Sequence, residues 1–181
     1  EISVELQVAV LVGEDLGFFS HSGIDPRAVW EAVQQWRRGG RLRGASTITQ
    51  QLARTLFLSS DRTVTRKVKE ARLAFWLDRR LGKHRVLELY LNVVEFGAGV
   101  YGAEAAARHY YGCDARRLDG LQAAGLAAAV PSPALDTPAT RSRRWEARTR
   151  IISGRMTRVQ WLRDVLASVD SSRLVKSREP H

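Results

Sequence analysis

Apolar residues return every three or four positions along nearly the whole chain, and no stretch shows a convincing period-two alternation. That spacing lays an apolar stripe along a helix, so the expected fold is mostly α. With 181 residues the chain fits a single domain, residues 1–181, that buries most of its unfolded surface without a disulfide or metal staple. Cys113 is the one cysteine, so neither an internal disulfide nor a zinc cluster is possible. Apolar and charged shares of 44% and 27% argue against global disorder. No apolar run approaches the roughly 18 residues of a membrane span.

Punctuation divides the pattern. An apolar segment from Val4 to Val12 runs into Gly13. Asp25-Pro26 is a cap followed by proline at the first helical position. It opens a helix carrying Val29, Trp30, Val33 and Trp36 that should stop at Gly39-Gly40. Thr47 and Gln50 have the spacing of a capping box ahead of Leu52, Leu56 and Phe57. Residues 63–81 read as one long helix stopped by Gly82, followed by a helix over 83–94, a turn at Gly97, Gly99 and Gly102, and helices over 103–111 and 119–129. Residues 131–140 read as loop. Thr157 and Gln160 repeat the capping-box spacing before Trp161 and Leu162. A C-terminal helical tail is expected over 156–181, fraying from residue 170.

The net charge is +10, and it is uneven. Residues 1–140 carry +3, whereas residues 141–181 carry +7, from 11 basic and 4 acidic side chains. A basic surface fits an anionic partner, or simply a solvated arginine-rich tail.

Four clusters hold residues able to do chemistry. Glu14-Asp15-Leu16-Gly17-Phe18-Phe19-Ser20-His21-Ser22-Gly23 sets two carboxylates at the end of an apolar helix, near a histidine. A carboxylate in a partly apolar cleft can serve as a proton acceptor, although the pair also fits a plain helix end. Gly44-Ala45-Ser46-Thr47-Ile48-Thr49-Gln50-Gln51 crowds polar side chains at a helix start, where free N–H groups favour anions. Capping accounts for Thr47 and Gln50 but not for Gln51. Arg66, Lys67 and Glu70 share a helix face, as a site or as a solvated salt-bridge face. In Lys83–Asn92, Tyr90 and Asn92 read as core and cap residues.

In order and spacing these clusters run Glu-Asp-x-x-Phe-x-x-His-x-Gly, Gly-x-Ser-Thr-Ile-Thr-Gln-Gln, Arg-Lys-x-x-Glu and Lys-x-x-x-x-Glu-x-Tyr-x-Asn. Over about residues 4–155 the chain resembles the family 51 glycosyltransferases, the peptidoglycan glycosyltransferases. The stretch Glu95–Ala107 is most similar to the monofunctional biosynthetic branch. The resemblance implies a lysozyme-like larger lobe and a smaller, membrane-facing jaw, here drawn from roughly residues 26–60. It implies polymerisation of lipid II into β-1,4-linked glycan strands by inverting transfer, with release of undecaprenyl pyrophosphate. It sets the catalytic glutamates at Glu14 and Glu70. Substrate contacts fall to Asp15, His21, Ser46, Thr47, Gln50, Gln51, Arg54, Arg62, Arg66 and Lys67. Arg54 stands where the family pattern leads one to expect lysine, and its wider planar fork grips phosphate differently.

No metal ligand set is certain, and a divalent cation (Mg or Mn) near Glu70 is one option for assisting departure of the pyrophosphate. The implied location is the outer, periplasmic face of the bacterial cytoplasmic membrane, with no anchor in this sequence. Implied partners are lipid II, the growing strand, the anionic membrane surface and other cell-wall synthases. Trp36, Leu56, Phe57 and Leu58 are candidate contacts for the prenyl chain or the bilayer, whereas Trp30 reads as core. Inversion requires Glu14 and Glu70 to face each other across a cleft without touching. Arg37, Arg38, Arg41 and Arg43, among Gly39, Gly40 and Gly44, form a candidate lid. Two rivals fit less well: a lysozyme-like enzyme that cleaves glycan, which has no pyrophosphate to hold, and a basic non-catalytic binding domain. No familiar DNA- or RNA-binding motif supports nucleic acid as the partner.

Overall fold

A computed structural model describes residues 1–39, 46–58 and 63–176. Its nine described α-helices are α1 (Val4–Glu14), α2 (Pro26–Arg37), α3 (Ile48–Phe57), α4 (Val64–Leu81), α5 (Lys83–Val93), α6 (Ala103–Tyr111), α7 (Gly120–Ala129), α8 (Arg143–Met156) and α9 (Gln160–Lys176). Two short strands, β1 (Glu95–Gly97) and β2 (Val100–Tyr101), pair antiparallel between α5 and α6.

Two helices have no polar face, and they make the centre. In α1, Leu6 and Val8–Val12 are all buried, and in α7 so are Ala123–Ala129. A helix apolar all round is stable only when surrounded, and α1 packs on α7 and α8. The small side chains of α7 let its neighbours approach closely. Trp145 on α8 lies against Gly125 and donates its indole N–H to the Gly125 carbonyl at 2.8 Å. Phe18, Tyr90, Phe96 and the leucines of α5 complete the core. Each such side chain contributes roughly 1.5–3 kcal/mol by burial.

The caps follow local chemistry. Ser3 accepts from the Leu6 N–H and Asp25 from those of Arg27 and Ala28. Thr47–Gln50 and Asp119–Gln122 both close as capping boxes.

Several expectations change. The glycine-rich segment after α5 is a hairpin, since Glu95 accepts the Gly99 N–H at 3.0 Å and so steadies the turn. Residues 143–156 form a helix, capped by Ser142 at Trp145 N. Thr157 therefore ends α8, donating to the Gly154 carbonyl, and does not start α9. The backbone stays helical to Lys176, beyond residue 170. Trp30 is not core. It is 61% exposed, and among the described side chains of α2 only Ala32 is buried. Within the region expected to form the jaw, α3 sends Ile48 and Leu52 into the main core and packs on α4 and α5. No described helix is long and apolar enough to cross a membrane.

Candidate active site

Glu14 is the last residue of α1, so the buried helix delivers its carboxylate to the floor of a cleft of about 370 Å³. Asp15, Asp25, Glu31, Ser46, Thr47 and Arg155 also line that cleft. Both oxygens of Glu14 are held. Oε2 accepts from Gln51 Nε2 at 2.9 Å, and Oε1 from Arg148 Nη2 at 2.7 Å. Arg148 also donates to the Gly13 carbonyl at 2.9 Å, which ties α8 to the end of α1. Burial pushes the Glu14 carboxyl above its ordinary value near 4.5; Gln51 and Arg148 pull against the shift without cancelling it. Gln51, which capping left unexplained, also accepts from the Tyr90 hydroxyl at 2.9 Å.

Asp15 joins the first two motifs. Its carboxylate takes the ring Nε2 of His21 at 3.0 Å and the Ile48 N–H at 3.0 Å, at the start of α3. With a carboxylate as its partner, Nε2 is the protonated ring nitrogen. Thr47 Oγ1 donates to the Gly23 carbonyl at 2.6 Å. Gly23 itself is required to be glycine: its φ is +77°, and a Cβ there would lie 2.6 Å from the Ala74 carbonyl oxygen of α4. The histidine and glycine of the first motif thus hold the second motif in place, and Gln50 is spent on capping Thr47.

Glu70 sits on the first turns of α4 and is 2% exposed. Arg66 Nη1 reaches its Oε2 at 2.6 Å, and Lys67 Nζ pairs with its Oε1. Lys67 also donates to Ser46 Oγ at 2.9 Å, which carries the third motif to the wall of the Glu14 cleft. Arg54, in the last turn of α3, lies near enough to Tyr90 that its charge favours the phenolate, while burial and the Glu14 charge push that phenol well above its ordinary value. Arg62, and Gly40, Arg41, Arg43 and Gly44 of the candidate lid, lie outside the described residues.

Both Glu70 oxygens are engaged by cations, and among the described residues no group of three or more acidic, histidine or cysteine side chains could hold a metal.

Besides Asp25, Glu31 and Arg155 on the cleft lining, the site includes Arg148 and Tyr90, none of which the motifs mark as site residues. Arg148 lay in what read as a basic tail, and its only signal was charge. Tyr90 read as core, which its burial bears out, yet its hydroxyl belongs to the site.

The chain is similar to proteins called biosynthetic peptidoglycan transglycosylases. That of Methylobacillus flagellatus is 45% identical over 160 residues, covering 86% of this chain and 68% of the relative. That of Nitrosospira multiformis is 48% identical over 158 residues, with the same coverage. That of Pseudomonas putida strain KT2440 is 52% identical over 132 residues, 73% of this chain and 56% of the relative. The sequence model of the family described as Transglycosylase matches residues 1–157. Because that match takes in every cleft side chain from Glu14 to Arg155, the chain belongs to the transglycosylase family.

Proposed function

We propose that the protein is a peptidoglycan glycosyltransferase that polymerises lipid II into β-1,4-linked strands by inverting transfer, releasing undecaprenyl pyrophosphate. The observation that carries this is Glu14, a largely buried carboxylate, 10% exposed and of raised proton affinity, that opens on a cleft. A sugar hydroxyl is a poor nucleophile at neutral pH and needs such a base within hydrogen-bond reach. Glu14 takes the proton of the 4-hydroxyl as its oxygen bonds to the anomeric carbon. The bond from that carbon to the pyrophosphate oxygen breaks on the opposite face, which inverts the centre. The leaving group departs as an anion and needs cations more than a proton. Arg54, Arg66 and Lys67 supply positive charge, and Glu70 orients the last two. Asp15 and His21 hold the second motif at the cleft, and Ser46 and Thr47 form its wall.

In this reading α2, with exposed Trp30, belongs to a membrane-facing jaw, and the enzyme works at the periplasmic face of the cytoplasmic membrane. Lipid II polymerisation by wild type beside Glu14→Gln tests the assignment. The substitution is expected to lower turnover by about 10²–10⁴-fold, the range of a lost general base. Near-wild-type turnover would sink it. Cleavage of finished glycan, with no polymerisation, would favour the hydrolase instead.

A further inference from the structure

Tyr90 is 1% exposed, in the middle of α5 and surrounded by core, yet it carries a hydroxyl. A buried phenol group without a partner costs about 1–3 kcal/mol, and a phenylalanine would fill the same space. Among the described residues the hydroxyl finds one partner, Gln51 Oε1 at 2.9 Å. That bond decides which way the amide faces. With its oxygen held by Tyr90, Gln51 turns Nε2 toward Glu14 Oε2 at 2.9 Å. Flipped, it would set its carbonyl oxygen against the carboxylate, two acceptors facing each other.

We propose that Tyr90 is a positioning residue for Glu14, acting through the Gln51 amide. The hydroxyl fixes the amide, and the amide N–H stabilises the ionised carboxylate that must take the sugar proton.

The other groups around Glu14 are fixed differently. Asp15 is bound by His21 and the Ile48 N–H. From α8 come Arg148, on the other carboxylate oxygen, and Arg155, on the cleft wall. Asp25 and Glu31 line the cleft from the start and body of α2. Arg54 adds positive charge near Tyr90 from α3. Helix α7 brings no charged side chain, and Arg163 of α9 pairs with Glu5 at the far end of α1. Only Gln51 among these partners of the carboxylate has two near-isosteric orientations, so only it needs an orienting group.

The test compares wild type, Tyr90→Phe, Gln51→Met and the double variant. The first readout is the titration midpoint of the Glu14 carboxyl by carbon NMR, with its signal identified by loss in Glu14→Gln. This needs no substrate. The second is the pH profile of lipid II polymerisation, which rests on the function proposed above. Tyr90→Phe is expected to move both the midpoint and the acid limb upward by about one pH unit, with KM unchanged and the rate recovering at higher pH. Gln51→Met should shift the midpoint in the same direction, and adding Tyr90→Phe should then change nothing more.

An unchanged midpoint in Tyr90→Phe overturns the proposal. So does an equal further shift in the double variant, because Tyr90 would then act without Gln51. If Tyr90→Phe fails to fold, a wild-type midpoint in Gln51→Met overturns it just as well. Shifted midpoints with no polymerisation by wild type would count against the enzymatic reading and leave the relay standing.

Discussion

Burial raises the proton affinity of Glu14, so its charge at neutral pH costs folding free energy. The folded protein holds this proton more tightly than the unfolded chain. The favourable contribution is therefore complete below the unfolded value near 4.5 and is lost as pH rises through the raised folded value. Glu14→Gln is accordingly expected to melt at or above the wild-type temperature at pH 7, with the gap closing below about pH 4.5 in thermal melts. A variant less stable at pH 7 than at pH 4, relative to wild type, would mean that Arg148 outweighs desolvation. Glu70 differs, because two cations surround it. Glu70→Gln should slow polymerisation more than about tenfold, roughly 1.4 kcal/mol of barrier, and a smaller loss would make Glu70 an ion-pair scaffold only. These charged residues were legible at the sequence level because the third motif is local. Arg66 and Lys67 precede Glu70 by one helical turn.

Among the elements, α8 matters most for its reach, since it brings Arg148 to a carboxylate 134 positions away. The close approach of α8 uses Gly125 of α7, where a Cβ would meet Trp145 Cζ2 of α8 at 3.0 Å and Tyr111 Oη of α6 at 2.6 Å. Gly125→Ala should wedge the two helices apart and lower the free energy of unfolding by about 1–3 kcal/mol in urea melts, with slower polymerisation as Arg148 withdraws. A midpoint left unchanged would show that Tyr111 and Trp145 rearrange freely. The caps carry a lesson about spacing. Thr47 and Gln50 close a capping box, whereas Thr157 and Gln160, equally spaced, do not. Thr157 already terminates α8, whose existence the arginine-rich composition of that stretch obscured.

Taken whole, the +10 charge is not a uniform coat. Glu14, Asp15, Asp25 and Glu31 all line the cleft, while Arg66 and Lys67 gather at Glu70. Exposed Trp30 on α2 and Phe57 at the end of α3 are apolar groups with no described cover. Vesicles containing anionic lipid should retain the protein in a salt-dependent way, and Trp30→Ser with Phe57→Ser should reduce retention roughly tenfold. Equal retention of the variant would assign membrane contact to other residues. The mostly α fold, the caps at Asp25, Thr47 and Asp119, and the order of the four motifs were all determined by the sequence itself, because each rests on neighbours within a turn or two of helix. What Gln51 and Tyr90 are for, why Gly23 is glycine, and which cation holds Glu14 were decided only by tertiary structure. Their partners lie on other helices, tens to more than a hundred residues away, and no local spacing encodes a contact that exists only once α1, α3, α5 and α8 have packed.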